Sequence, residues 1–255
     1  MRYAERVFQE SADSGDEREL DVVRFANHLA SICENQTWRC DIEDGPEAWK
    51  AAIVAAGGWL NPGFDPDKSD VDESNASSVV ITDADGEVVA CNALRIFVTD
   101  SFRRIMRRGD LFYGPRTTRL LNGMPLCLED DYEDFGGTIG YSGGTFVARK
   151  YRALRLGLMT TRFVRLIAER QFRVDHHAGL IFQNRPLDPR PKAPYHYARC
   201  RMALPFMRLP DRHQDEPLLL VDIRREEFLS QVQRNVRDLV RKGNQTLDDL
   251  ALLVP

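Results

Sequence analysis

Residues Val147–Phe163 read VARKYRALRLGLMTTRF: the apolar end of an extended run, four cations within nine residues, one glycine, then apolar residues at helical spacing. A strand that enters a helix through so basic a turn sets the reading of its neighbours. Upstream, residues 137–148 (GTIGYSGGTFVA) predict a strand interrupted at Gly143-Gly144, and adjacent glycines inside a strand pattern mark a bulge or a close approach by another group. Downstream, a helix over 155–171 puts Leu156, Met159, Phe163, Leu166 and Ile167 on one face. The next segment, HHAGLIF (176–182), reads as a buried strand.

Further out, SSVVIT and EVVACNALRIFV flank a turn at Asp83-Ala-Asp-Gly86 and predict a β-hairpin. Strands are also expected at 195–204 and 217–223, with helices over 224–241 and 246–252. Residues 16–34 carry Leu20, Val23, Ala26, Leu29 and Ile32 near helical spacing. A second helix is expected after Gly45-Pro46, capped by Asp44 and ending at Gly57-Gly58. The polar run 61–76 reads as a flexible loop, and its aspartates lack the glycine and final glutamate of a calcium-binding loop. The segment NRPLDPRPKAPY, with four prolines, excludes a regular helix.

The chain has 255 residues, 43% hydrophobic and 29% charged, the composition of an ordinary globular protein. No apolar run approaches the roughly 18 residues of a membrane span, and the N-terminus is charged where a signal peptide would be apolar. A cytoplasmic location and no membrane partner are expected. Cys33, Cys40, Cys91, Cys127 and Cys200 form no CxxC pair and read as reduced, structural thiols. The net charge of −4 conceals an asymmetry: residues 1–90 hold 7 Lys/Arg against 20 Asp/Glu, whereas residues 149–212 hold 15 against 4. Either the two parts neutralise each other or the basic segment holds an anion. Whole-chain acidity argues against general nucleic-acid binding.

The first-turn amides of a helix lack intrahelical acceptors and, with the helix dipole, favour phosphate. Gly157 would let a ligand near that backbone, and Arg149, Lys150, Arg152 and Arg155 would neutralise it. The order of elements over about residues 77–205 (hairpin, bulged strand, basic glycine loop, helix, strand) resembles the GNAT superfamily of acyl-CoA-dependent N-acyltransferases. That superfamily carries Arg/Gln-x-x-Gly-x-Gly/Ala in the loop, and Arg152-Ala-Leu-Arg-Leu-Gly157 matches its first and last positions. Arg155 stands where the middle glycine belongs, and either crowds a pyrophosphate or adds a cation beside it.

The resemblance implies an α+β fold, a GNAT-like mixed, mainly antiparallel sheet flanked by helices, with extra N- and C-terminal helices. One domain is expected, with an N-terminal helical part and loop over 1–76, an acyltransferase core over 77–223, and C-terminal helices over 224–255. It further implies acetyl-CoA or another acyl-CoA as co-substrate, without a metal. The coenzyme's diphosphate would lie on Arg149, Arg152, Ala153, Leu154, Arg155, Leu156 and Gly157; its arm would run along Phe146, Val147 and Ala148, with Asn184 after the neighbouring strand. The acceptor would be the amine of a small molecule or peptide, attacking directly. The alternative is a catalytically degenerate GNAT-like binding or regulatory module.

Within that resemblance Tyr195 is the candidate that reprotonates the leaving thiolate, and Tyr141 is the polar candidate on the bulged strand. Glu133 and Asp134 are candidate bases reaching in from the preceding loop, or a solvated acidic loop. Neighbouring residues on a strand face opposite ways, so His176 and His177 are not expected to chelate one metal. Trp38, Trp49 and Trp59 either line an acceptor pocket or pack the N-terminal helices. The terminal helices offer a surface for a homodimer.

Overall fold

Strand alternation on both sides of the Asp83–Gly86 turn builds the centre of a sheet, and the computed structural model shows how the rest joins it. Phe8 and residues 17–114, 133–182, 197–207 and 216–242 are described. In chain order they form α1 (Glu17–Asn35), β1 (Arg39–Asp44), α2 (Glu47–Ala55), a 3-10 turn (Pro62–Phe64), β2 (Ala76–Thr82), β3 (Val88–Thr99) and α3 (Phe102–Arg108). There follow β4 (Gly137–Val147), a 3-10 segment (Arg149–Leu154), α4 (Leu156–Ile167), a π-helical turn (Ala168–Phe172), β5 (His176–Phe182), β6 (Arg199–Met207), β7 (Glu216–Arg224) and α5 (Arg225–Lys242).

The seven strands lie in the order β1-β2-β3-β4-β5-β7-β6, all neighbours antiparallel except β4 and β5. A parallel pair needs a crossover, and α4 supplies it. This is the mixed, mainly antiparallel α+β sheet flanked by helices that the element order implied. Alternation divides the sheet between two cores. Val79, Ile81, Leu94, Val221 and Ile223 pack under α1, α4 and α5, while Val80, Ala93, Phe97, Leu218 and Leu220 pack under α2, the Pro62–Phe64 turn and α3. No helix among the described residues is long and apolar enough to cross a membrane.

Several local expectations are corrected. Residues 39–44 form an edge strand paired with β2, so the sheet starts ahead of the hairpin. Asp44 belongs to that strand, opposite Ser77, and does not cap α2; Pro46 takes the N-cap position with no side-chain bond. The basic segment after β3 is a helix, capped by Ser101 Oγ accepting from Arg104 N at 3.0 Å and ended by Gly109 at φ 76°. The 61–76 run is no loose loop: Asn61, Phe64, Asp65, Ser69 and Val71 are buried. Arg95, 2% exposed on β3, ties it down by donating to Gly63 O at 3.3 Å and to Leu111 O at 3.2 Å and by pairing with Asp70. The helix expected over 155–171 is α-helical to Ile167, then widens into the π turn. Of the strand expected at 195–204, the described part runs from Arg199 to Met207. The helix expected at 246–252 lies outside the described residues.

Candidate active site

Backbone pairing creates a fork. β4 and β5 pair only from Ile139–Ser142 against His176–Gly179. Beyond that point β5 continues along β7, whereas β4 stays with β3 through Phe146 and Val147. On the β3 side the register shifts between Cys91 and Ala93, which face Phe146 and Gly143, so β4 carries one extra residue there. That is the bulge expected at Gly143-Gly144. Gly144 has φ 62°, a left-handed conformation that glycine adopts without strain. Its carbonyl accepts from Trp49 Nε1 at 2.8 Å, so the wholly buried indole holds the bulge in shape.

The separated strands enclose a cavity of about 310 Å³, lined by Ser142–Phe146 of β4, Gly179–Ile181 of β5, Thr161 of α4, and Ile53, Trp59, Asn61, Tyr197 and Val221. The backbone of two strands that no longer pair with each other lines this gap, and their facing edges suit an extended ligand. At the apex the Tyr197 hydroxyl lies 2.7 Å from Ser142 Oγ and 3.4 Å from Ala178 O. The Arg165 guanidinium, 1% exposed, sits 4.6 Å from the Tyr197 ring centroid and places a positive charge over its face. Burial lowers the Arg165 pKa, and it lowers that of Arg162 to about 9, with Arg165 adding repulsion.

α4 packs against β4, and its Thr161 lines the fork. Arg155 occupies the N-cap position at φ 56°, ψ 23° with no side-chain cap. It therefore holds, as an arginine, a left-handed conformation that glycine adopts without strain, at a cost of about 1–2 kcal/mol. Leu158 N and Met159 N turn back to Arg155 O at 3.0 and 3.3 Å, and among the described residues the amides of Leu156 and Gly157 have no acceptor. Arg149, Arg152 and Arg155 are exposed, and none has a carboxylate partner among the described residues. Arg152 Nε donates to Val147 O at 3.3 Å. Lys150 is different: its Nζ lies 2.9 Å from Asp83 Oδ2, so this cation is committed to the hairpin turn.

The remaining candidates separate cleanly. Phe146 lines the cleft, but Val147 packs against the core and the Ala148 amide donates to Val89 O at 2.9 Å. Ala153 is exposed, Leu154 half-buried and Leu156 fully buried, so Leu156 presents only its backbone to a ligand. Tyr141 does not reach the cleft. It is 1% exposed, stacked on Phe64 at 5.4 Å and edged by Phe97, and burial pushes its phenol up, away from any proton exchange near neutrality. Asp134 caps α3, accepting from Arg103 N and Phe135 N at 2.9 Å each, and Glu133 pairs with Arg224. Both stand beyond the first residue of β4, about 17 Å along the strand from Ser142, too far to act as bases.

His176 stacks on Phe135 and His177 packs against Phe228, on opposite sheet faces as expected. Among the described residues no three His, Cys, Asp or Glu side chains are grouped to hold a metal. Trp38 and Trp49 pack the core, whereas Trp59 lines the cleft. The Cys91 thiol is pushed up to about 12 by burial and is unreactive. Asn184, Tyr195 and Cys127 lie outside the described residues. Sequence reasoning missed Tyr197, Ser142, Thr145 and Thr161. The Tyr-His-Tyr triplet at 195–197 was the available signal, and its described residue, Tyr197, lies at the fork.

No protein-family model matches the chain, and no curated protein matches it in sequence. Among solved structures it is similar to Arabidopsis thaliana NAA60 in complex with acetyl-CoA, at 10% identity and a TM-score of 0.37, covering 73% of this chain and 99% of that one. The same protein with a bisubstrate analogue overlaps at 12% identity and 0.37, covering 72% and 98%. BjaI, a CoA-dependent acyl-homoserine lactone synthase with SAM and isopentyl-CoA, overlaps at 14% and 0.35, covering 93% and 94%. The strand order and pairing define the fold independently of these overlaps.

Proposed function

We propose that the protein is an acyl-CoA-dependent N-acyltransferase that moves an acyl group, most simply acetyl, from acyl-CoA to a primary amine. One observation carries this reading: α4, which packs against β4 and lines the fork with Thr161, starts without a side-chain cap, and among the described residues its first two amides have no acceptor and Arg149, Arg152 and Arg155 have no carboxylate partner. An extended thioester arm with a diphosphate at one end is the ligand chemistry such a site suits, because strand backbone satisfies amides and helix amides satisfy phosphate. Leu156 and Gly157 amides with Arg149, Arg152 and Arg155 would take the diphosphate, and Gly143–Phe146 would flank the arm.

In the reaction an amine nitrogen bonds to the thioester carbonyl carbon and the carbon–sulfur bond breaks. Tyr197 Oη gives its proton to the leaving sulfur, and the proton released by the amine restores it through Ser142 Oγ, 2.7 Å away. Tyr195, to which the resemblance gave this role, lies outside the described residues; Tyr197 is the described tyrosine at the fork. The acceptor is the amine of a small molecule or peptide, and the acidic N-terminal part favours a cationic one by electrostatic attraction.

Calorimetry with acetyl-CoA tests the site. The wild type should bind, and Gly157→Glu, with an unchanged circular dichroism spectrum, should lose at least about tenfold in affinity by placing a carboxylate at the phosphate position. No binding, or binding indifferent to that substitution, refutes the reading. The described cleft lining contains no carboxylate or imidazole, a feature that favours, as a second reading, a module that holds acyl-CoA without transferring it. Binding without thiol release against a panel of polyamines, amino acids and peptide N-termini would select it.

A further inference from the structure

A chain of hydrogen bonds joins the first turn of α4 to the cleft. Asn92 lies on β3 at the register shift and is fully buried. Its Nδ2 donates to Thr161 Oγ1 at 3.0 Å and to Thr145 Oγ1 at 2.9 Å. Thr161 Oγ1 itself donates to Gly157 O at 2.7 Å, so its proton is spent and its lone pair faces Asn92. This fixes the amide the right way round, because a carbonyl oxygen placed there would confront that lone pair.

Both Asn92 amide protons are then used, and Thr145 receives one of them. A hydroxyl whose oxygen already accepts from a buried amide keeps one proton to give. Thr145 is exposed, lines the cleft, and among the described residues its hydroxyl has no acceptor. It sits in the bulge, one residue past Gly144, where β4 has left β5. Asn92 Oδ1, meanwhile, is buried and has no hydrogen-bond partner among the described residues. A buried amide left half-satisfied is poor packing, and it is accounted for by what the other half directs.

We propose that Thr145 donates a hydrogen bond to the thioester carbonyl oxygen of bound acyl-CoA, and that Asn92 is the positioning residue that orients this donor. This rests on the acyl-CoA reading. Such a donor polarises the carbonyl and strengthens its bond as negative charge builds on the oxygen during attack. Because Asn92 also bridges to Thr161 and Gly157, the donor is set by the same turn of α4 that meets the diphosphate.

Free CoA lacks the thioester carbonyl but keeps the diphosphate and the arm, so the ratio of acetyl-CoA to CoA affinity isolates the contact. Calorimetry should show that Thr145→Val lowers acetyl-CoA affinity roughly three- to tenfold with CoA affinity unchanged, and that Thr145→Ser retains the preference. Asn92→Ala should reduce the same ratio in the wild-type background and leave it unmoved in the Thr145→Val background, since it acts through that hydroxyl. Equal loss for both ligands, or an Asn92→Ala effect that persists without the hydroxyl, overturns the proposal. A wild type that binds neither ligand overturns the acyl-CoA reading instead, and this assignment with it.

Discussion

Gly144→Ala should destabilise the protein by about 3–5 kcal/mol, from three contributions legible in the structure. A Cβ at Gly144 would stand 2.4 Å from Trp49 Cζ2, 2.8 Å from Cε2 and 3.0 Å from Nε1, where ordinary contact begins at 3.4 Å. The indole must retreat, yet Trp49 is 0% exposed and leans on Phe64 at 5.7 Å, and overpacking of this kind costs about 1–3 kcal/mol. Retreat also breaks the bond from Trp49 Nε1 to Gly144 O, about 1 kcal/mol. Alanine at φ 62° adds about 1 kcal/mol of backbone strain. Urea unfolding of the wild type and variant measures the sum. In a Trp49→Phe background the ring that collides is smaller, so the two substitutions should couple favourably by about 1–2 kcal/mol. A loss below 1 kcal/mol, or strict additivity with Trp49→Phe, would show that the indole does not hold the bulge.

The arginines at the α4 start should differ from their neighbour. Arg152→Ala and Arg155→Gly should each weaken acetyl-CoA binding roughly three- to tenfold at low salt and less at high salt, while Lys150→Ala, whose cation is tied to Asp83, should leave it within about twofold; salt-dependent calorimetry checks this. Tyr197→Phe should lower kcat by roughly a hundredfold with little change in KM for acetyl-CoA, whereas Tyr141→Phe, whose ring is buried against Phe64 and does not line the cleft, should leave kcat within about twofold in a thiol-release assay. Acid should destabilise the fold through His177. Burial first, then Arg165, His176 and Arg225, hold its pKa well below the ordinary 6.5, and among the described residues neither ring nitrogen has a hydrogen-bond partner. The unfolded chain then binds the proton first, so stability is intact above about pH 6.5 and falls as pH drops below it, by up to about 1.4 kcal/mol per unit. His176, lowered in the same direction, adds to the slope, and His177→Phe should flatten it in urea titrations between pH 6.5 and 5.

Element types were legible wherever a local period was long enough to speak. The hairpin, β4, α4, β5, β7, α1 and α5 all follow from alternation or helical spacing within single segments, because burying one face is a local demand on sequence. β1 was not legible, since RCDIED is short and charged, the dress of an edge strand that must not recruit another chain. Nor was α3, whose seven residues carry four arginines and whose cap is completed by Asp134 from beyond the next segment.

By itself, then, the sequence determined the sheet's alternating segments, the bulge at Gly143-Gly144 and the basic entry into α4, all of them properties of neighbours along the chain. Only the tertiary structure decided which side chains share the site. Trp49 meets Gly144 across 95 positions, Tyr197 meets Ser142 across 55, and Lys150 is drawn away to Asp83 across 67. Pairings at such separations depend on strand register and on how far β4 and β5 travel together before they part. Register is set by the sum of contacts over both faces of the sheet, which no short stretch of sequence contains.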